Sequence, residues 1–584
     1  MKQYLLVCIF CCFAIPCISQ YFLRGEIKDE KGRQLERAKI YLASKGNTPF
    51  YSGNFGAFGI LCPYPQDTIT VFYDGYEVYK KLVNTKVFNE IVLKMLPETA
   101  SLYANKLSSR TTNLEDNGES YFATLGESYS SLIENQFVNA KNYPETGFSI
   151  NIDKASYSNI RRFINNGMYV PSNAVRIEEM LNYFDLRGPQ FPKPKDSASF
   201  CVASTLTSCP WNESNFLLFI QLQAPKINLN NILPNNLVLL IDISGSMDHP
   251  SKLPLLQSAF KLLVENLRPE DKVSIVTYGG GVHVALSATP GNEKLKINNI
   301  IDSLYADGDT PGESAIKTAY DIAKNNFIPN GNNRIILATD GDFNVGKTTE
   351  QELEQLVSYQ KQSGIFLTCL GVGMGNYKDS KLEILAKKGN GNFAYIDNIH
   401  EAEKTLIKEF TKTMYAVAVD AYANVEFNAE IVKKYRLIGF DNKRAAIIDT
   451  TSLLEGGEVG SGHNMMAVFE IVPVSNEKIN LKDPNIALLN LSFHLPKHTK
   501  HITQNFQLPF NPIDFNAAPK QIKLATSIIM FGSLLRQSKF IKNYGFQDAI
   551  NLAQSSINNS NISEQELLTL MQKANNIYNY RKKK

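Results

Sequence analysis

The chain has 584 residues, 43% hydrophobic and 20% charged, which is too long for one core and has an ordinary globular balance. Its formal net charge is only +3, so composition gives no support to nucleic-acid binding, and the terminal Arg-Lys-Lys-Lys reads as a solvated tail.

The first residues, MKQYLLVCIFCCFAIPCISQ, combine one Lys, a short apolar run and small residues near Cys17 to Ser19. This pattern predicts a secretory signal peptide over 1–19, and so a protein exported to the periplasm, the cell envelope or the exterior. The apolar run is shorter than the roughly 20 residues a membrane span needs, and Pro16 disfavours lipid anchoring at Cys17. Of eight cysteines, four lie in that segment, leaving Cys62, Cys201, Cys209 and Cys369. Cys201 and Cys209 are close enough in sequence to pair in an oxidising compartment, two free thiols being the alternative; Cys369 reads as a buried strand residue.

Residues 20–96 alternate short apolar runs with turns, which predicts a small β-sandwich. The order GEIKDEKGRQLERAKIYL, GNFGAFGI, DTITVFYDGYE resembles carboxypeptidase regulatory-like domains, which implies a spacer without catalytic residues. Residues 97–145 turn polar and are expected to be a linker. Residues 146–235 read as a strand, two helices and a further strand, with Asp153 or Ser156 capping the first helix and Gly167 ending it.

From 236 to 412 strands and helices alternate regularly, which predicts a doubly wound α/β domain. In SKLPLLQSAFKLLVENL the residues Leu253, Leu256, Phe260, Leu263 and Leu267 recur at helical spacing and should face inward. Residues 413–584 are predicted to be β-rich and then helical; the apolar run LATSIIMFGSLL is too short to span a membrane and is read as a core helix.

The apolar run LVLLI ends in Asp242, with Ser244 and Ser246 following. In an open α/β sheet, ligands gather beyond the carboxyl ends of the strands. Thr310, on a Gly-flanked loop before a helix, and Asp340, at the end of RIILAT, can reach the same edge. Two carboxylates and three hydroxyls form an all-oxygen set suited to a hard cation: Mg²⁺, or else Mn²⁺ or Ca²⁺.

Asp-x-Ser-x-Ser followed by a distant Thr and a distant Asp resembles the metal-ion-dependent adhesion site of von Willebrand factor A domains. That resemblance implies metal contact by Ser244, Ser246 and Thr310, with Asp242 and Asp340 acting directly or through water. It also implies a vacant vertex for an Asp or Glu carboxylate of a partner protein. Together, FSINIDKASYSNIRRFINNGMYVPSNAVRIEEMLNYFD, TDGDFNVG, YRLIGFDNK, EVGSGHNMMAVFEIVP and FGSLLRQS resemble a bacterial subfamily. Its members carry this domain between a dedicated N-terminal region and a C-terminal domain of unknown function.

Asp248 and His249 are read as rim residues, Asp309 and Asp342 as solvated or supporting, His463 as structural or surface, and Trp211 as a packing anchor. A phosphoryl-accepting role for Asp242 would want a second Asp two residues later, where Ser244 stands, and GxSxG, HExxH and GxxxxGK[ST] are absent from the sequence. The expected function is therefore non-enzymatic: cation-dependent protein binding, with a scaffold whose loops the metal stabilises as the first alternative and a metal-dependent phosphatase-like enzyme as the lesser one. The sequence does not specify an oligomeric state.

Overall fold

The computed structural model describes residues 21–94, 127, 129 and 132–580, apart from 31, 47, 74–75, 193–198, 228–232, 309–311, 330, 342–355, 361–362, 374–378, 410–411, 413–414, 442–456, 475–483, 497 and 499. The predicted signal segment, with Cys8, Cys11, Cys12 and Cys17, lies outside the described residues, as do Thr310, Asp309 and Asp342. The chain divides into two compact units, 1–104 and 105–584.

Among its described residues the first unit has seven strands: β1 (Tyr21–Asp29), β2 (Lys39–Leu42), β3 (Phe50–Tyr51), β4 (Ala57–Cys62), β5 (Gln66–Phe72), β6 (Tyr79–Asn84) and β7 (Phe88–Leu93). They form two sheets, ordered β4-β1-β7 and β3-β2-β5-β6. Alternation buries one face of each: Leu23 and Ile27 of β1 meet Ile40, Leu42, Ile69 and Val71 in one core. The predicted sandwich is present.

In the second unit the chain starts with β8 (Val138–Asn139) and β9 (Glu145–Ser149), then α1 (Ala155–Asn165), α2 (Ile177–Asn182), β10 (Cys201–Cys209) and β11 (Asn212–Gln223). The polar linker was expected to reach 145, but its described end is packed. Asn135 is buried and donates to the Leu437 and Gly439 carbonyls, at 3.1 and 2.8 Å. The expected caps of α1 are absent too. Lys154 holds the cap position without a side-chain bond, Asp153 accepts from the Phe393 amide at 2.9 Å, and Ser156 donates to the Ala174 carbonyl. Gly167 does follow the helix, at φ +67°.

Six strands make the next sheet: β12 (Asn235–Asp242), β13 (Lys272–Tyr278), β14 (Val282–Pro290), β15 (Asn332–Thr339), β16 (Ile365–Val372) and β17 (Phe393–Ile396). Their order is β14-β13-β12-β15-β16-β17, parallel except for the edge hairpin strand β14. Helices α3 (Leu253–Glu265), α4 (Lys294–Asp302), α5 (Gly312–Asn325), α6 (Asp379–Lys388) and α7 (Ile399–Glu403) cover it. The run LVLLI is apolar throughout because both faces are buried. Val238 and Leu240 enter one core with Ala315, Ile316 and Ala319 of α5, while Leu237, Leu239 and Ile241 enter the other with Leu256, Phe260 and Leu263 of α3. The five predicted inward positions of α3 and its extension are all buried.

The remaining strands are β18 (Ala416–Phe427), β19 (Val432–Ile438), β20 (Gly457–Gly460), β21 (Asn464–Pro473), β22 (Asn485–His494), β23 (His501–Pro509) and β24 (Pro512–Ile513). Helices α8 (Lys520–Leu535), α9 (Phe546–Ser556) and α10 (Ile562–Tyr580) end the chain. The segments before and after the α/β domain do not fold separately. β11 pairs with β21 and β9 with β18, giving sheets β24-β10-β11-β21-β19-β8 and β20-β18-β22-β23 with β9 added. Leu218, Ile220 and Leu222 of β11 fill the core between these sheets, and Leu217 and Phe219 point into a helical layer of α1, α2, α8, α9 and α10. The α/β domain is thus inserted into one split β-sandwich.

Cys201 and Cys209 stand at opposite ends of β10, and all four described cysteines are free. Eight residues of strand span about 26 Å, far beyond the roughly 7 Å a disulfide tolerates between Cα atoms, so sequence proximity misleads here. Cys369 is fully buried in β16, as expected.

Candidate metal centre

Parallel pairing brings the carboxyl ends of β12 and β15 side by side, with Ile241 opposite Ala338. Asp242 is the last residue of β12, and Asp340 follows the last residue of β15. Asp242 has 0% exposure and Asp340 1%. Burying one carboxylate is costly unless it is paired or bonded; two at one edge compound the cost.

The donors reaching Asp242 among the described residues are neutral. The Ser244 amide donates to Oδ1 at 2.9 Å, and the Thr339 hydroxyl donates to Oδ2 at 2.7 Å. Burial pushes the Asp242 carboxyl up to about 6; the bonds from Ser244 and Thr339 oppose this, and Asp340 adds to it. Beneath lies Tyr278, fully buried and opposite Asp242 on β13, its hydroxyl held well above its usual value by burial and by Asp242.

A short helical turn at Gly245–Met247 follows the strand and turns the serines inward on one another: Ser244 Oγ and Ser246 Oγ are 3.2 Å apart. Ser244 is buried and Ser246 exposed, so the site opens to solvent on the Ser246 side. Glycines let the neighbouring loop approach. The Gly245 amide donates to the Gly308 carbonyl at 3.0 Å, and Gly308 (φ +75°) presses on Gly280 so closely that a Cβ would lie 2.3 Å from the Gly280 nitrogen. Gly308 stands two residues before Thr310 in the sequence; Thr310 itself lies outside the described residues.

Of the five expected ligands, four are described: Asp242, Ser244, Ser246 and Asp340 all lie at this edge. Sequence reasoning passed over Thr339, which anchors Asp242 and accepts from the Gly341 amide at 3.1 Å. It also passed over Lys252, whose ammonium is 2.8 Å from Asp340 Oδ2. A hydroxyl just before Asp340 and a lysine ten residues after Asp242 were legible as letters, but only the strand pairing shows what they touch. Among the described residues no cluster of three or more His, Cys, Asp or Glu could hold a metal, so a cation here depends on hydroxyl oxygens. The donor set fits a hard dication: oxygen only, with one buried carboxylate, Asp242, whose donors among the described residues are all neutral.

Asp248 and His249 are exposed on the rim, as expected, His249 bonding Ser251 at 2.8 Å. His463 is buried rather than at the surface; burial, with Lys154 adding, lowers it to about 3. Trp211 packs in the core of the helical layer.

A doubly wound sheet whose central strand ends in Asp-x-Ser-x-Ser beside a second strand-end aspartate is a von Willebrand factor type A domain, and the family model of that description matches residues 236–410. Models described as von Willebrand factor and as the C-terminal part of uncharacterized protein YfbK match 123–219 and 412–577. The chain is 33% identical over 477 residues to uncharacterized protein YfbK of Escherichia coli (strain K12), covering 78% of this chain and 81% of that protein, and it belongs to the YfbK family. It is also 27% identical over 219 residues to human inter-alpha-trypsin inhibitor heavy chain H2, covering 36% of this chain and 22% of that one. Among solved structures, a von Willebrand factor type A protein from Catenulispora acidiphila aligns with a TM-score of 0.39 at 14% identity, over 63% of this chain and 89% of that one.

Proposed function

We propose that this protein is an exported, divalent-cation-dependent protein-binding module of the cell envelope or exterior, acting in adhesion or assembly and not as a catalyst. Asp242, Ser244, Ser246, Thr310 and Asp340 would hold Mg²⁺, or Mn²⁺ or Ca²⁺, and the partner would supply an Asp or Glu carboxylate. When bound, the cation supplies a Lewis-acidic vertex for that carboxylate. The observation that carries the reading is Asp242, a fully buried carboxylate met by neutral donors beside two converging serine hydroxyls. Neutral hydroxyl ligands leave a dication with excess positive charge, which an incoming acid can satisfy. Across the family of domains, divalent-metal binding at this edge is common. No described helix is long and apolar enough to cross a membrane.

The test uses the full mature chain. Mg²⁺ should raise its melting temperature, and Asp242→Ala should abolish that rise. Proteins captured in the presence of Mg²⁺ should be released by chelator. A wild type whose melting is indifferent to Mg²⁺, Mn²⁺ and Ca²⁺ would overturn the metal site. Metal stabilisation with chelator-insensitive capture would favour the scaffold role instead.

A further inference from the structure

Lys252 stands just before α3, and its side chain turns back toward the motif it follows. The ammonium donates to Asp340 Oδ2 at 2.8 Å and to the Ser246 carbonyl at 2.9 Å. It thus links the two motif segments whose residues would hold a dication. The pair is enclosed: the Lys252 side chain is 11% exposed and that of Asp340 1%. Its seat is shaped from a third strand end. Gly373 follows β16 at φ +78°, and a Cβ there would lie 2.4 Å from Lys252 Cε and 2.6 Å from Cγ. Two carboxylates therefore reach this edge, and a tethered monovalent cation already attends one of them.

We infer that Lys252 is a built-in substitute cation and a positioning residue. It holds Asp340 in place while the site lacks metal, and releases that carboxylate to an arriving dication. This inference rests on the metal reading above. Two effects follow from electrostatics. Without metal, Lys252 prevents Asp242 and Asp340 from facing each other uncompensated. With metal, the dication must displace or tolerate a nearby positive charge, so the site binds more weakly than its oxygens alone would allow, which keeps the cation exchangeable.

The test compares Lys252→Met, Lys252→Arg and wild type as full mature chains, by thermal unfolding in EDTA and in saturating MgCl₂ and by calorimetric titration with MgCl₂ alone. Lys252→Met should melt several degrees lower in EDTA, and the deficit should close in Mg²⁺. Its Mg²⁺ affinity should tighten on the order of tenfold, while Lys252→Arg should stay near wild type in both respects. Gly373→Ala, which keeps the charge but crowds its seat, should shift both readouts in the Met direction by less. A deficit of equal size in EDTA and in Mg²⁺ marks a merely structural lysine and overturns the inference, as does an unchanged or weaker affinity. A wild type that takes up no Mg²⁺ while Lys252→Met still melts low in EDTA overturns the metal reading and the exchange together, and is told apart from the other failures by the wild-type titration.

Discussion

Asp242 carries its carboxyl group into a wall of the sheet where water does not reach. Its folded pKa, about 6, lies above the ordinary 3.8, so across that interval the folded chain binds more proton than the unfolded one. In the absence of metal its contribution is therefore favourable at low pH and is lost as pH rises through about 6. Asp242→Asn removes the charge and keeps the shape. In EDTA at about pH 8 this variant should melt no lower than wild type, and the difference should reverse toward pH 4, where wild type regains its advantage. In Mg²⁺ the variant should show no stabilisation. Differential scanning calorimetry at the two pH values checks all three outcomes. The motif aspartate and serines were readable because their spacing is local. Thr339 and Lys252 were not, because their partners lie 97 and 88 residues away in sequence.

Loop and strand ends decide whether those side chains meet. Gly308 has a positive φ, and its neighbour across the loop leaves no room for a Cβ. Gly308→Ala should therefore combine backbone strain with a clash, costing about 1–3 kcal/mol in urea unfolding, and should weaken Mg²⁺ binding tenfold or more by disturbing the Gly245 amide bond to the Gly308 carbonyl that holds the Ser244–Ser246 turn. Most elements of the α/β domain could be read from periodicity, since LVLLI and α3 each show a pattern set by burial. Elsewhere periodicity was weaker or misleading. β23 is an edge strand whose outward set is exposed and polar and whose inward set, Ile502, Gln504, Phe506 and Leu508, is interrupted by a glutamine and mostly only half-buried, so its alternation is weak. The Asp153 and Ser156 caps failed because both side chains are drawn into tertiary bonds, one to Phe393 and one to Ala174.

At the scale of the second unit, buried ion pairs join the inserted domain to the sandwich around it. Arg334 of β15, fully buried, donates to Glu458 of β20 at 3.2 and 3.3 Å and to Thr368 at 2.9 Å. Arg334→Met should cost about 3–5 kcal/mol in denaturant unfolding by stranding Glu458, and adding Glu458→Gln should recover part of it. A second tie runs from Lys154 to Glu409, with contacts of 2.7 and 2.8 Å. Burial works against the Glu409 charge, but Lys154, Lys404 and Lys412 outweigh it and hold the carboxyl at about 2, below the usual 4.5. Its stabilisation is thus present above 4.5 and lost as pH falls toward 2. Glu409→Gln should lower the melting temperature at neutral pH, and the deficit should shrink progressively below about pH 4.5 and close only as the pH reaches about 2, as circular dichroism can follow. The insertion was invisible in sequence because β-pairing across a whole domain leaves no local trace. It also constrains synthesis. β11 leaves the ribosome before the α/β domain and must wait for β21, so its hydrogen-bonding edge toward β21 stays open while the insert forms. A nascent chain halted just after the insert should accordingly be rich in adhesive strand edge and favoured by holding chaperones, until the last third of the polypeptide arrives to close it.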